Sequence, residues 1–175
     1  MPTLYIVATP IGNLEDISRR ALRTLDEVKL IAAEDTRKTR RLLAAYDIKT
    51  PMTSYHEQNK RSKLSYILAK LEEGDVALVS EAGMPGISDP GYELIIATSE
   101  RDIPVVPIPG PSAVITALAV SGLPTNRFTY IGFLPRKSGE RRRRLESVAG
   151  ESGTIIALEA PHRLKETFND ILVTL

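Results

Sequence analysis

The stretch VSEAGMPGISDPG, residues 79–91, decides how this chain is organised. Its three glycines and two prolines are incompatible with the interior of a helix or of a strand. The apolar run VALVS (76–80) leads into it and the helix-compatible run YELIIATSE (92–100) leads out. This order predicts a strand, a loop and a helix in succession. Because loops on a rigid scaffold often carry binding residues, the stretch is the first candidate for a functional site.

Composition limits the classes of protein that remain. The chain has 175 residues, of which 42% are hydrophobic, enough to form the core of one domain or two small ones. Its formal net charge is +1, so a nucleic-acid surface would need local clustering of cations. It has no cysteine, which excludes disulfides and thiolate chemistry and favours a cytoplasmic location. Its two distant histidines cannot form a structural zinc site. We expect neither secretion nor a membrane span, because no apolar run approaches about 18 residues.

Apolar runs alternate with amphipathic, helix-like segments along the first hundred residues. Five strands are predicted, at TLYIVA (3–8), KLIAAE (29–34), MTSYH (52–56), DVALVS (75–80) and IPVVPI (103–108). Three helices between them place apolar side chains inward: Ile17, Ala21, Leu22, Leu25 and Val28 on the first, Leu42, Leu43 and Tyr46 on the second, and Leu64, Ile67, Leu68 and Leu71 on the third. We expect Gly74 to end the third helix with a left-handed cap. The alternation predicts an α/β fold with a mostly parallel sheet.

The proline-rich segment PVVPIPGPS (104–112) interrupts this alternation and predicts a domain boundary. We place an N-terminal α/β domain at residues 1–110 and a C-terminal α/β domain at residues 111–175. The latter contains two predicted strands, FTYIGF (128–133) and GTIIALE (153–159), with a helix after about Arg163.

Three Gly/Pro loops follow the first, fourth and fifth predicted strands: TPIGN (9–13), EAGMPGISDPG (81–91) and PIPGPSA (107–113). Because ligands bind beyond the carboxyl ends of parallel strands, we expect the loops to meet there around a ligand. Exposed backbone amides can bind a carboxylate or a ribose, while Ile11, Met84 and Ile87 can cover an apolar ring. The alternative is that each loop is only a tight turn. No Walker A or GxGxxG motif is present.

Six segments together resemble the bacterial ribosomal RNA small subunit methyltransferase I family, within the tetrapyrrole methylase superfamily. They are LYIVATPIGNLEDIS, LIAAEDTR, SEAGMPGISDPG, PIPGPSA, LPTNRFTYIGFLPRK and EAPHR, which occur in this order between Leu4 and Arg163. The resemblance implies a two-domain enzyme that transfers a methyl group from S-adenosylmethionine to a cytidine ribose 2′-hydroxyl in 16S rRNA. It also implies the 30S subunit as partner, a homodimer, and a C-terminal domain that continues past Leu175, so that it is incomplete here.

Binding of the cofactor is implied for matching positions in the three loops. These are Pro10, Ile11, Gly83, Met84, Ile87, Ser112 and Ala113. A helix that begins at Ser112–Ala113 would offer free N–H groups to the methionyl carboxylate. The chain departs from the family at two places. Residues 81–85 are Glu-Ala-Gly-Met-Pro where the family has Asp-Ala-Gly-Thr-Pro, so Met84 lacks a hydroxyl that could bind the ligand. EAPHR replaces a Ser-Pro-His-Arg form.

A ribose hydroxyl is a weak nucleophile, so a carboxylate that accepts its proton would help the reaction. Glu34, Asp35 and Glu81 are the candidates, because they follow the second and fourth predicted strands. The alternative for Asp35 is that it caps the helix that begins near Arg37.

The densest positive charge lies in RKSGERRRRLE (136–146). RNA phosphate contacts are predicted for Arg136, Lys137, Arg141, Arg142, Arg143 and Arg144. The alternative is a solvated helix face.

Two other functions are compatible with the sequence. One is methylation of a small tetrapyrrole-like substrate on the same fold, which would need few phosphate-binding arginines. The other is a non-catalytic RNA-binding module, which would need no cofactor loops.

Overall fold

The computed structural model describes every residue from Met1 to Leu175 and divides into two compact units, Met1–Ala113 and Val114–Leu175. The division lies just after the proline-rich segment, three residues beyond the predicted boundary at residue 110.

The first unit is built around a five-stranded parallel sheet. Its strands are β1 (Leu4–Val7), β2 (Leu30–Ala33), β3 (Met52–Ser54), β4 (Val76–Val79) and β5 (Val105–Ile108), in the spatial order β3-β2-β4-β1-β5. Its helices are α1 (Arg19–Glu27), α2 (Thr36–Ala45), α3 (Lys60–Glu73) and α4 (Tyr92–Ser99). In the register of the central strands, Leu4 of β1 pairs with Val76 of β4 and with Val105 of β5. The predicted α/β class and all five strands are confirmed.

Helices cover both faces of this sheet, which explains why β2 and β4 are buried along their whole length. On one face α1 and α2 contribute the buried side chains of Leu25, Leu42 and Leu43. On the other face α3 and α4 contribute those of Ile67 and Leu94. The apolar faces predicted for the first three helices are therefore the faces that build the core.

Helix ends in this unit are set by local chemistry. Ser18 caps α1, since its hydroxyl accepts the Ala21 N–H at 3.0 Å. The predicted left-handed cap at Gly74 is wrong, because Gly74 has φ 162°, which is extended backbone. The chain leaves α3 directly towards β4, so no left-handed residue is required there.

The second unit contains two parallel strands and three helices. They are α5 (Ala113–Val120, which begins at the division), β6 (Phe128–Phe133), α6 (Ser138–Glu146), β7 (Thr154–Leu158) and α7 (Leu164–Thr174). Its core is small and is formed by Ile131, Leu134, Leu145 and Val148. Several large apolar side chains remain exposed in this unit; Val120 and Leu172 are each 81% exposed. None of the helices in either unit combines the length and apolar composition that a membrane crossing needs.

Candidate functional site

The loops after β1 and β4 are joined by a short antiparallel bridge at the carboxyl edge of the sheet. The Thr9 N–H donates to the Gly83 carbonyl at 2.9 Å, and the Gly83 N–H donates to the Thr9 carbonyl at 3.0 Å. These paired hydrogen bonds fix the position of Gly83 directly beyond the end of β1.

Gly83 is also the point at which the third loop meets the other two. A Cβ at this position would lie 3.6 Å from the Pro111 carbonyl oxygen and 3.7 Å from Cγ2 of Ile11. The backbone of Gly83 has φ +79°, a left-handed conformation that strains residues with a side chain. The predicted convergence of the three loops at one edge is confirmed, and it depends on a glycine at this position.

Gly110 brings the loop after β5 close to the end of β1. A Cβ on Gly110 would lie 2.9 Å from the Cβ of Ala8, closer than two such atoms normally approach. The small residues at these two positions therefore allow the loops to pack together at the edge.

The predicted cofactor residues differ in how much of their side chains they offer. Ile87 is 53% exposed and Ile11 is partly exposed, so both can cover an apolar ligand. The side chain of Met84 packs against the core between the sheet and helices α3 and α4. Met84 is partly buried, so its backbone and the exposed part of its side chain are available to a ligand, and its predicted cofactor contact stays a prediction. Pro10 and Ser112 are partly exposed, and Ala113 is the exposed first residue of α5.

Glu34 links the carboxyl ends of β2 and β4. Its carboxylate accepts the backbone N–H of Glu81 at 3.1 Å. Burial raises the pKa of Glu34 above its ordinary value, although the hydrogen bond from Glu81 opposes this shift. The side chain is partly buried and is not committed to a cation. Glu34 is therefore a carboxylate with unusual basicity at the candidate site.

Asp35 has a structural role. Its Oδ1 accepts the N–H of Arg37 at 2.7 Å and the N–H of Lys38 at 3.3 Å, so it is the N-cap of α2. The hydrogen bond from the Arg37 side chain lowers the pKa of Asp35, and the backbone N–H groups act in the same direction. The capping interpretation is confirmed, and the lowered pKa makes Asp35 a weaker base than Glu34.

Glu81 forms an ion pair with Lys38 of α2. Hydrogen bonding to Glu81 raises the pKa of Lys38, so the ammonium stays charged and holds the carboxylate. Of the three predicted proton acceptors, only Glu34 is free of a cationic partner.

Asp89 is a fourth carboxyl at this edge that the sequence did not identify as part of a site. Burial raises its pKa to about 6, the nearby carboxylate of Glu34 adds to this shift, and a hydrogen bond from Ser80 opposes it. The residue stands in the quoted loop as part of SDPG, where aspartate before proline is typical of turns. Nothing in that local pattern indicates that the carboxyl would be half-buried beside other acids.

Two clefts open at the carboxyl edge of the sheet. A polar cleft of about 430 Å³ is lined by Glu34, Asp35, Thr36, Arg37, Ser54, His56, Glu57, Gln58 and Glu81. A cleft of about 300 Å³ is lined by Thr9, Pro10, Leu14, Lys38, Thr39, Arg41, Leu42, Ser80 and Glu81. Glu81 lies between them. The polar cleft contains the basic carboxylate, and the smaller one reaches the first glycine/proline loop.

The arginine run of the second unit is only partly available to RNA. Arg141 is 2% exposed, and its Nε donates to Asp170 of α7 at 2.7 Å. Its NH1 group donates to the carbonyls of Pro135 and Arg136. Arg142 donates to the other oxygen of Asp170 at 2.7 Å.

We correct the predicted RNA contact at Arg141, whereas that of Arg142 stays a prediction. Arg141 is an internal residue that joins α6 to α7, and Arg142 is half-exposed with its Nε engaged. The exposed cations of the predicted set are Arg136, Lys137, Arg142, Arg143 and Arg144.

Comparisons with known proteins agree with this architecture. The sequence model of the family described as Tetrapyrrole (Corrin/Porphyrin) Methylases matches residues 3–174. The chain is 55% identical to the ribosomal RNA small subunit methyltransferase I of Halalkalibacterium halodurans, over 99% of this chain and 60% of that protein. It is 54% identical to the protein of the same name from Synechocystis, over 98% of this chain and 62% of that protein. The resemblance seen in the sequence is confirmed, and the chain spans about 60% of the length of these relatives.

Solved structures share the fold at much lower identity. A cobalt precorrin-4 methyltransferase of cobalamin biosynthesis has a TM-score of 0.70 at 16% identity, over 98% of this chain and 74% of that one. A uroporphyrin-III-C-methyltransferase from Thermus thermophilus has a TM-score of 0.64 at 20% identity, over 99% of this chain and 74% of that one.

Proposed function

This chain belongs to the tetrapyrrole (corrin/porphyrin) methylases, and on that premise we propose that the protein is an S-adenosylmethionine-dependent methyltransferase. Its proposed substrate is the ribose 2′-hydroxyl of a cytidine in 16S rRNA. The observation that carries the proposal is the meeting of three loops at Gly83, since it provides a backbone-lined site where a parallel sheet binds ligands. The names of the relatives at 55% and 54% identity support rRNA as the substrate class.

The residues at the edge fit the proposed cofactor. The space beside Gly83, which a side chain would fill, lets a ligand approach the backbone between Ile11 and Pro111. Ile11 and Ile87 would cover the apolar parts, and the start of α5 at Ala113, with Ser112 before it, would offer N–H groups to a carboxylate. Pro10 and Met84 complete the proposed contacts. When bound, S-adenosylmethionine supplies an electrophilic methyl group.

Glu34 is the proposed proton acceptor for the ribose hydroxyl. It is the one predicted acceptor without a cationic partner, and burial raises its pKa, which increases its basicity. The polar cleft gives the substrate access to this carboxylate. Glu81 would position Glu34 through its backbone N–H, while the Glu81 side chain remains paired with Lys38.

The exposed cations of the second unit are proposed RNA contacts. Arg136, Lys137, Arg142, Arg143 and Arg144 can each approach a phosphate. This local excess of exposed cations favours RNA over a small tetrapyrrole as the substrate. The solved methyltransferase structures, at 16% and 20% identity, support the shared fold and not a shared substrate. The 30S subunit as partner, the homodimer and the cytoplasm are further parts of the proposal that follow from the resemblance.

The decisive experiment is mass mapping of nucleosides in 16S rRNA after incubation of 30S subunits with the full-length protein and S-adenosylmethionine. We expect a 2′-O-methylcytidine that is absent without the protein. Unmodified rRNA, from a preparation that binds the cofactor in calorimetry, would contradict the proposed substrate. Light scattering of the same preparation tests the homodimer.

Substitution of Gly83 by Val tests the cofactor site. The valine side chain would strain the left-handed backbone and fill the space beside Ile11 and Pro111, so cofactor binding should be lost while the far-UV spectrum stays unchanged. Gly122→Val is a matched control, because its backbone is left-handed as well, with φ +73°, but a Cβ there meets no atom within 4 Å. Retained cofactor affinity in Gly83→Val would mean that the loop is only a turn.

Substitution of Glu34 by Gln tests the proton acceptor. Turnover should fall by roughly 10²–10⁴-fold, the usual contribution of a general base. Because the acceptor must be ionised, the parent rate should rise with pH through the raised pKa of Glu34, and this dependence should disappear in Glu34→Gln. An unchanged pH profile would exclude Glu34 from this role.

A further inference from the structure

Helix α2 carries a concentration of positive charge that the proposed function does not yet use. Its sequence, TRKTRRLLAA, contains Arg37, Lys38, Arg40 and Arg41 and has no acidic residue. Thr39, Leu42 and Leu43 are the buried residues of the helix, so the four cations occupy its outward face. Residues three and four apart are neighbours on a helix, which places Arg37, Arg40 and Arg41 in one patch.

Neighbouring carboxylates neutralise only half of this charge. Arg37 pairs with Asp35, and Lys38 pairs with Glu81. Arg40 and Arg41 are exposed and make no ion pair. The outward face therefore keeps two uncompensated arginines in a chain whose whole net charge is +1.

The position of the helix connects this charge to the candidate site. Asp35, the N-cap of α2, follows directly after Glu34 at the carboxyl edge of the sheet. Arg37 lines the polar cleft that contains Glu34, and Arg41 lines the cleft that reaches Pro10. Arg40 lines a third cleft of about 440 Å³ farther from the edge. The cations thus lead along the helix to the proposed proton acceptor.

The chemistry of the face fits a polyanion better than a protein. Besides the four cations, the outward residues of α2 include Ala44 and Ala45, and no large apolar side chain is among them. Protein interfaces usually need buried aromatic or aliphatic anchors at their centre. Arginine guanidinium groups without internal partners are suited to phosphate oxygens.

We propose that the outward face of α2, formed by Arg37, Lys38, Arg40 and Arg41, binds the phosphates of the RNA substrate beside the carboxyl edge. This inference rests on the proposed function, because it names a second surface that holds the same substrate. Contacts to phosphate set the position of an RNA without reading its sequence. The face would therefore hold the chain of nucleotides on either side of the one that enters the polar cleft.

The test is the double variant Arg40→Glu with Arg41→Glu in the full-length protein. Binding of a fluorescently labelled 16S rRNA fragment is measured by anisotropy over a range of salt concentrations. The slope of log affinity against log salt concentration, called the salt slope below, should fall by about 0.7 for each phosphate interaction lost with single-stranded RNA, hence by up to about 1.4 in the double variant. Affinity for S-adenosylmethionine, measured by calorimetry, should be retained, since neither arginine is among the proposed cofactor contacts.

Lys70→Glu with Arg101→Glu is the matched control. It makes the same change in net charge, but the two residues are exposed or partly exposed on α3 and after α4, on the opposite face of the sheet. A larger loss of salt slope in the α2 variant than in the control would support the surface. Equal losses in both variants would show a general effect of net charge and would overturn it, as would an unchanged slope in the α2 variant. Arg40→Lys with Arg41→Lys, which keeps the charge, should retain most of the slope.

Failure of this inference can be distinguished from failure of the proposed function. If the protein methylates 16S rRNA and the α2 variant does so with unchanged RNA affinity, the surface is wrong and the function stands. If no rRNA is methylated but the α2 variant alone loses salt slope, the phosphate-binding surface stands and the proposed reaction is wrong.

Discussion

The two arginine-rich helices of this protein have the same number of cations and use them differently. Helix α2 presents Arg37, Lys38, Arg40 and Arg41 on its outward face and contains no acid. Helix α6 contains Arg141 to Arg144, but it also contains Glu140 and Glu146, and it directs two arginines to Asp170. The number of cations in a segment therefore does not measure the charge that the segment offers to a partner.

The difference follows from spacing along the helix. Four consecutive residues, at about 100° each, span most of a helix circumference, so one of them must face the core. In α6 that residue is Arg141, which lies four positions before the buried Leu145. In α2 the cations skip Thr39 and stop before Leu42 and Leu43, which are the inward positions. The interrupted pattern is the more effective way to build an exposed cationic face.

The largest effect is expected from Arg141→Ala compared with Arg143→Ala. This pair separates the buried, structural arginine of α6 from an exposed one. Loss of Arg141 removes a charge-assisted hydrogen bond from Asp170, which keeps Ser138 and Arg142 as partners, so it should cost about 1.5–3 kcal/mol. Arg143 is exposed, and its removal should change the free energy of unfolding by no more than about 0.5 kcal/mol. Urea denaturation of the two full-length variants measures the difference. Equal stabilities would mean that Arg141 is not a structural residue.

The sequence was sufficient for features that depend on residues close together in the chain. The periodicity of apolar residues predicted the five strands and the inward faces of the first three helices, because each face is a repeat within about 12 residues. The cap at Asp35 was also accessible, since it involves only the next three residues. The meeting of three loops at one edge followed from parallel pairing of the strands before them.

The features that the sequence did not reveal depend on contacts between distant segments. Arg141 pairs with Asp170 on another helix, 29 residues later. The local sequence therefore does not distinguish Arg141 from the three arginines that follow it. The pKa of Asp89 is raised by burial and by Glu34, a neighbour from a different strand end. Met84 follows a glycine in a loop, and only tertiary packing places part of its side chain against the core. In each case the local pattern allows several outcomes and the fold selects one.

The second prediction compares the exposed parts of the two helices in RNA binding. Arg143→Glu with Arg144→Glu should weaken binding of a 16S rRNA fragment less than Arg40→Glu with Arg41→Glu. The reason is that Glu140 and Glu146 already lower the positive potential around α6, whereas α2 has no acid within it. Because removing one phosphate interaction reduces the log–log salt slope by about 0.7, anisotropy titrations at several salt concentrations give the ranking. A larger decrease of slope in the α6 variant would mean that α6 contributes more to phosphate binding than α2.

The third prediction concerns the acid dependence of α2. Arg37 and the N–H groups of the first turn lower the pKa of Asp35 in the folded protein. A carboxylate with a depressed folded pKa stabilises the protein above its unfolded pKa of about 3.9, and this stabilisation is lost as the pH falls through the folded pKa. Asp35→Asn should therefore be less stable than the parent at pH 7, and the difference in unfolding midpoint should shrink below about pH 4. A difference independent of pH would mean that the charge of Asp35 contributes nothing.

The smallest effect is expected at the start of α6, which lacks the cap that α2 has. Lys137 occupies the N-cap position with extended backbone, φ −79° and ψ 129°; its ammonium pairs with the Glu140 carboxylate at 3.4 Å, but its side chain caps no backbone N–H. Glu140 stands three residues later, so Lys137→Ser would create the reciprocal pair of hydrogen bonds known as a capping box. The free energy of unfolding should rise by about 0.5–1 kcal/mol.

Arg136→Ser is the matched control for this last variant. It removes the same charge from an exposed position one residue earlier, outside the cap, so it should leave stability nearly unchanged. Both variants remove one proposed phosphate interaction and should reduce the RNA salt slope by the same amount, at most about 0.7. Stability would then separate them while RNA binding would not, which distinguishes a missing cap from a missing charge. If both serine variants gained the same stability, relief of repulsion among the α6 cations, and not capping, would be the cause.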